Sequence, residues 1–186
     1  MQYRITTPCT AEDLAPLKAG DTVLLSGVVY TARDQAHKRM IEALDKGEQL
    51  PFDLEGSAIY YVGPTPERPG EIIGSAGPTT SGRMDAMSPR LLDLGNKIMI
   101  GKGKRDAAVK EAVIRNGAVY LAALGGAGAL MAQSVKTLEV IAWPDLGCEA
   151  VRRLTVENMP LTVILDAHGG DLYLSGPAAY KKAQAK

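Results

Sequence analysis

The chain has 186 residues, of which 46% are hydrophobic and 23% charged, a balance typical of a globular domain and not of a disordered segment. Its 21 basic residues equal its 21 acidic residues, which argues against a nucleic-acid binder, because that class needs a net basic surface. The apolar runs are too short for a membrane span and the N-terminus lacks a signal-peptide pattern, so we expect a cytoplasmic protein with no membrane partner.

The two cysteines, Cys9 and Cys148, lie far apart in the sequence and neither belongs to a CxxC pair. They cannot build a disulfide framework, and the sequence has no clustered Cys/His set of the kind that holds a transition metal. We therefore expect free thiols in a reducing compartment and no metal ligand from this chain.

The first half of the chain predicts short helices alternating with strands. A capping residue predicts a short helix over 10–18, and the β-branched run 22–31 predicts a strand with a break at positions 26–27. Apolar residues at helical spacing then predict a helix that Gly47 ends. A strand over 57–62 follows.

The second half begins with a long loop over 63–88, rich in proline and glycine, in which positions 72–73 suggest a short strand. Helices over 89–95, 105–116 and near 127–134 then alternate with strands over 97–100, 118–123 and 138–142. This alternation predicts βαβ units and a parallel or mixed sheet.

The C-terminal part of the chain predicts consecutive strands and no alternation of helix and strand. Strands are predicted over 153–157 and 161–166, and a hairpin-type turn at 168–170 leads into a further strand over 171–174. We expect a single α/β domain over 1–186, with 174–186 as a flexible tail.

The first group of candidate functional residues lies where strand 22–31 becomes a helix. A helix N-terminus favours anions, and Arg33 adds a planar fork that can hold a carboxylate through two hydrogen bonds. Alternatively, Arg33 and Asp34 form a surface pair while Asp34 caps the helix. His37 lies one turn later on the same helical face, as a catalytic candidate or as a structural histidine.

The second group lies in the loop 74–85, where consecutive hydroxyl residues including Thr79 stand between glycines and are followed by Arg83. Glycines let backbone N–H groups approach a ligand closely, and hydroxyls can donate to an oxyanion. A polar surface turn is the alternative, although it would not need Arg83 and Asp85.

The third group is Lys102, which lies between two glycines just after strand 97–100. Ligands of open α/β sheets bind beyond the carboxyl ends of strands, so this ammonium is a candidate ligand group, or else part of a solvated basic turn. The glycine-rich run 124–130 suggests dinucleotide binding, but Met131 stands where that fingerprint needs glycine or alanine, so close helix packing explains the run better.

These segments together resemble the β subunit, or C-terminal domain, of the iron–sulfur hydro-lyases of the tartrate dehydratase and class I fumarase family. The resemblance covers roughly residues 4–174 and rests on the stretches LSGVVYTARDQAHKR, LPFDLEGSAIYYVGPTP, GSAGPTTSGRMD, GKGKR, GAVYLAALGGAGALMAQ and ILDAHGGDLY. It implies the swivelling β/β/α domain, a mixed sheet with helices, and the reversible hydration of a C4 dicarboxylate, fumarate to malate first among them.

The resemblance also implies roles for single residues. Arg33 and Arg83 would bind substrate carboxylates, and Lys102 would add a third cation. Thr79 matches the hydroxyl proposed in the family to take part in proton transfer, and His37 is a second catalytic candidate or a support for Arg33. Of the two branches, TSGRMD and the alanine before Arg33 look more like fumarase than tartrate dehydratase.

In this family a [4Fe–4S] cluster is held by three cysteines of the α subunit, so the resemblance implies a separate α chain as partner. We expect a hetero-oligomer with that chain, or a homodimer of this chain alone, acting on a small dicarboxylate. Tartrate and mesaconate stay open as substrates, and a non-enzymatic carboxylate-binding module is the alternative from a different class.

Overall fold

The computed structural model describes residues 1–123 and 128–184. Its strands are β1 (Gln2–Thr7), β2 (Thr22–Thr31), β3 (Ala58–Tyr60), β4 (Ile98–Gly101), β5 (Val119–Ala122), β6 (Val135–Ala142) and β7 (Val151–Leu165). Its α-helices are α1 (Ala11–Leu14), α2 (Asp34–Asp45), α3 (Ser88–Asp93), α4 (Ala107–Arg115), α5 (Gly128–Gln133) and α6 (Leu172–Gln184), with 3-10 helices at Ser81–Met84 and Pro144–Glu149.

The strands form one mixed sheet that closes on itself. Parallel pairing runs from β2 through β3 and β4 to β5, and the long antiparallel strand β7 joins β5 back to β2. β1 extends the ring beside β2, and β6 extends it beside β7. The predicted fold class, an α/β protein with a mixed sheet and helices, is confirmed.

Each central strand is buried on both faces, so its alternate residues enter two separate cores. Ile98 and Ile100 of β4 pack into one core, whereas Met99 between them packs into the other. Helices α2, α3 and α4 cover the second core with their apolar faces. This explains why the strands read as continuous apolar runs, which is typical of covered parallel strands.

The predicted break in strand 22–31 is a β-bulge within one continuous strand. The pairing of β2 with β7 shifts register between Leu25 and Gly27, and Gly27 has φ of 101°. A Cβ on Gly27 would lie 2.5 Å from the carbonyl oxygen of Thr7, so only glycine fits beside β1.

Several sequence predictions are wrong. Positions 72–73 form no strand, and the two predicted C-terminal strands are one, β7, which passes through Asn158 in the left-handed region at φ of 50°. The strand predicted over 171–174 is the start of α6, because the Asp171 carboxylate accepts from the Tyr173 N–H at 2.9 Å and acts as a helix cap. The glycine-rich run falls partly outside the described residues, at 124–127.

Candidate functional site

The predicted site residues follow three neighbouring parallel strands at their carboxyl ends. Arg33 follows β2 and Lys102 follows β4. The loop that carries Thr79 is bonded to the backbone at the ends of β3 and β4. The Thr79 N–H donates to the Tyr61 carbonyl at 2.7 Å, and the Ser81 N–H donates to the Lys102 carbonyl at 2.8 Å. The fold therefore brings the three groups to one edge of the sheet, where ligands of α/β proteins bind.

Asp34 connects the two predicted arginines. Its Oδ1 lies 2.7 Å from Arg83 Nε, and its Oδ2 lies 3.9 Å from Arg33 Nε. The Arg83 side chain is 51% exposed and that of Arg33 is 19% exposed. Both guanidinium groups therefore meet at one carboxylate, close enough to contact the same small ligand.

A second carboxylate, that of Glu149, lies at the start of α2. Its Oε2 accepts from the Gln35 N–H at 2.8 Å, and its Oε1 lies 3.7 Å from Arg33 Nη2. Helix N-termini attract anions, and the anion bound at the N-terminus of α2 is the Glu149 carboxylate of the same chain. Glu149 follows Gln35 by more than a hundred positions, so no local pattern could have identified it.

His37 lies beneath this site and has no exposed surface. Its Nδ1 is 3.0 Å from the Arg33 carbonyl oxygen, which can only accept, so Nδ1 carries the hydrogen and donates. Burial and the nearby Arg105 charge lower the pKa of His37 to about 4, against the effect of its bond to Arg33. This geometry favours the supporting role for His37, because the imidazole donates to the backbone carbonyl of Arg33 and so helps to fix the position of that residue.

Three buried side-chain atoms at the start of α2 have no hydrogen-bond partner among the described residues: Arg33 Nε, Asp34 Oδ2 and His37 Nε2. Buried polar atoms without partners are rare in folded proteins. One of the three is a donor and two are acceptors, so unsatisfied bonding capacity of both kinds lies at the start of α2.

We predict that His37 makes the stability of the protein depend on pH. The unfolded histidine takes up a proton near pH 6.5 and the folded one only near pH 4, so the free energy of unfolding should fall as the pH drops through that window. The expected loss is about 3 kcal/mol. Denaturant unfolding at pH 7, 5.5 and 4 should show this loss, and His37→Asn should show a smaller one. Parallel pH profiles for the two proteins would refute the prediction.

A cleft of about 530 Å³ lies elsewhere, between the loop 65–75 and α5. Its lining reaches the first two residues of the loop 74–85, Gly74 and Ser75, but the described residues that line it do not include Arg33, His37, Thr79, Arg83 or Lys102. Its lining mixes Arg68, Glu71 and Gln133 with apolar groups and contains no convergent set of one charge. The carboxyl-end edge, and not this cleft, carries the chemistry that the sequence predicts.

The described residues do not fit an iron–sulfur cluster. Within 1–123 and 128–184, no group of three Cys, His, Asp or Glu side chains could hold a metal ion. Cys9 is buried, and burial raises the pKa of its thiol to about 12, whereas Cys148 is exposed. Every helix in the same part of the chain is too short or too polar to cross a lipid bilayer.

Comparison with known proteins matches residues 2–176 to the family described as Fumarase C-terminus. The chain is 43% identical over 170 residues to a putative L(+)-tartrate dehydratase subunit beta of Methanocaldococcus jannaschii, covering 88% of this chain and 87% of that one. It is 34% identical to the L(+)-tartrate dehydratase subunit beta of Escherichia coli K12, covering 92% of this chain and 87% of the relative.

The aerobic class I fumarate hydratase of Escherichia coli K12 is 40% identical over 151 residues, which cover 80% of this chain but only 28% of the relative. The chain thus spans most of the length of the tartrate dehydratase subunits and under a third of the length of the fumarate hydratases.

Proposed function

Because the chain belongs to the Fumarase C-terminus family, we propose that it is the β subunit of an iron–sulfur-dependent hydro-lyase, with the reversible hydration of fumarate to malate as its reaction. In this proposal the chain supplies carboxylate-binding residues to an active site shared with an α subunit. The observation that carries it is the meeting of Arg33 and Arg83 at Asp34, beside the loop of Thr79 and Lys102.

The charges of this edge suit half of a dicarboxylate site. Arg33, Arg83 and Lys102 bring three positive charges, while Asp34 and Glu149 bring two negative charges. The net charge of these five side chains is therefore plus one, whereas a C4 dicarboxylate carries two negative charges. A partner that adds positive charge would complete the match, so weak binding by the isolated chain is expected.

Each residue has a defined task in the proposed reaction. Arg33 and Arg83 bind and orient the substrate carboxylates through paired hydrogen bonds, and Lys102 adds a third cation. The Thr79 hydroxyl takes part in proton transfer at the carbon next to a carboxylate, for which the surrounding cations must lower its very high pKa. His37 holds the backbone of Arg33.

The cofactor in this proposal is a [4Fe–4S] cluster on the α subunit, as the family resemblance implies. Among the described residues, no group of three Cys, His, Asp or Glu side chains could hold a metal ion. When bound there, the cluster would act as a Lewis acid toward the substrate. We infer a cytoplasmic hetero-oligomer of α and β chains, in keeping with the subunit names of the relatives and with the two free cysteines.

L(+)-tartrate is the second candidate substrate. The relatives whose length this chain matches are named tartrate dehydratase subunits, whereas the fumarate hydratases are longer chains with comparable identity. Fumarate stays first because of TSGRMD and the alanine at position 32.

The test is to purify the chain anaerobically together with a candidate α-type chain from the same organism and to measure turnover of fumarate, malate, L(+)-tartrate and mesaconate. We expect turnover of a C4 dicarboxylate by the pair and none by either chain alone. Tight binding of malate to the isolated chain, with no turnover by the pair, would instead favour a non-enzymatic binding module.

We predict that Thr79→Val lowers kcat about 100-fold, the lower end of the usual range for the loss of one proton-transfer group, while KM changes little. Thr79→Ser keeps the hydroxyl and should retain most of the activity. Steady-state kinetics of the two variants in the reconstituted complex check this. Equal activity of the Val and Ser variants would remove Thr79 from the reaction.

A further inference from the structure

A fully buried arginine lies directly beneath the site. The Arg105 side chain has no exposed surface, and its Nε lies 2.6 Å from Asp85 Oδ1. Its Nη2 donates to Ser88 Oγ at 2.9 Å, and its Nη1 lies 3.2 Å from Met99 Sδ. Arg105 follows the exposed Lys102 by three positions, but its own side chain is enclosed by protein.

Two tyrosine rings enclose the same guanidinium. Arg105 Cζ lies 5.4 Å from the ring centre of Tyr61 and 5.1 Å from that of Tyr120. The Tyr120 hydroxyl lies 2.9 Å from Ser81 Oγ and 2.9 Å from the Gly103 carbonyl oxygen. Arg105 and Tyr120 therefore connect the segment 81–88 to the segment 101–105 through side chains.

These two segments carry the exposed cations of the site. Arg83 precedes Asp85 by two positions in the first segment, and Lys102 precedes Arg105 by three positions in the second. A backbone bridge between Thr80, just before the first segment, and Lys102 adds a further link. The bonds of Arg105 and Tyr120 therefore join the two stretches of backbone from which the Arg83 and Lys102 side chains extend.

We propose that Arg105, with Asp85, is a positioning residue that sets the distance between Arg83 and Lys102 for the substrate carboxylates. The inference rests on the proposed function, since it assigns a role within that site. Arg105 is too deeply buried to contact a substrate. It acts through the two segments that its guanidinium and Tyr120 hold together.

Stability alone does not account for this pair. Removing two charges from water is so unfavourable that well-packed apolar residues often stabilise a protein as much as a buried ion pair. A guanidinium offers what apolar residues do not, namely directional bonds to Asp85 and Ser88 at fixed angles.

The test is the KM of the complex of α and β chains for its C4 dicarboxylate, measured for Arg105→Lys and for Tyr120→Phe. KM is the useful readout because it does not depend on what fraction of the enzyme is folded. A misplacement of about 1 Å can lower turnover about 100-fold. We expect Arg105→Lys to raise KM about tenfold or more and Tyr120→Phe to raise it several-fold.

The matched control is Leu17→Ala, which opens a hole in the other core, just before β2 starts and away from the carboxyl-end edge. It should lower the melting temperature and leave KM unchanged. If Arg105→Lys and Tyr120→Phe also leave KM unchanged in an active complex, Arg105 is only structural and the inference is overturned. A wild-type complex with no activity on any C4 dicarboxylate would overturn the proposed function instead.

Discussion

Arg83→Ala is expected to lower kcat/KM of the α and β complex about 1,000-fold, because it removes a charged partner of the substrate carboxylate. The Arg83 side chain is 51% exposed, whereas the side chain of its partner Asp34 is only 15% exposed. Loss of Arg83 leaves that largely buried carboxylate without its nearest cation, so the free energy of unfolding should fall by about 1 to 3 kcal/mol. Steady-state kinetics and thermal unfolding of the same preparation check both expectations.

The chain offers a matched control in Arg90→Ala. Arg90 also forms an exposed ion pair with an aspartate of α2, Asp45, at the far end of that helix. Both members of this pair are well exposed, so its loss should change the free energy of unfolding by less than about 1 kcal/mol and should leave kcat/KM unchanged. Activity of Arg83→Ala within a few-fold of the wild type would end its assignment to the substrate.

Arg33→Met should reduce kcat/KM to a similar extent, about 1,000-fold, for two reasons. It removes a carboxylate ligand, and it leaves Asp34 and Glu149 without one of their positive neighbours at the start of α2. With Arg33 gone, the edge carries no net positive charge to attract a dianion. Anaerobic kinetics of the complex measure the loss, and Arg39→Met on the same helix, whose arginine pairs with Asp145, is the control.

Gly63→Ala tests the position of Arg33 without changing any charge. A Cβ on Gly63 would lie 2.5 Å from Arg33 Nη1, so the guanidinium must move away. We expect KM to rise about tenfold from this displacement. Gly176→Ala in α6, where a Cβ would find its nearest atom at 3.7 Å, should leave KM unchanged. A Gly63→Ala enzyme with wild-type kinetics would show that Arg33 does not bind the substrate.

Much of the fold could be predicted because the strands are covered on both faces. The apolar runs that predicted strands at 97–100 and 118–123 are β4 and β5, and the helix predicted between them over 105–116 is α4. The wrong prediction of a strand at 171–174 has a local cause. The apolar pattern of this segment alone suggests a strand, but Asp171 caps the helix α6 that begins there. The strand β1 was missed altogether.

The site was predictable only in part. Arg33, Thr79, Arg83 and Lys102 could be selected because each combines a charged or hydroxyl group with a strand end or a glycine-rich loop. Glu149 and Arg105 could not, because their roles come from partners distant in sequence and from burial, which no single segment reveals. The identity of the family was predicted correctly from the order of the motifs.

The most direct test of the proposed site is a crystal structure of the α and β complex with a C4 dicarboxylate bound. We predict guanidinium nitrogens of Arg33 and Arg83 within about 3 Å of the substrate carboxylates, with the Lys102 ammonium beside them. A substrate held by the α chain alone, while both arginines remain paired with Asp34 and Glu149, would contradict it.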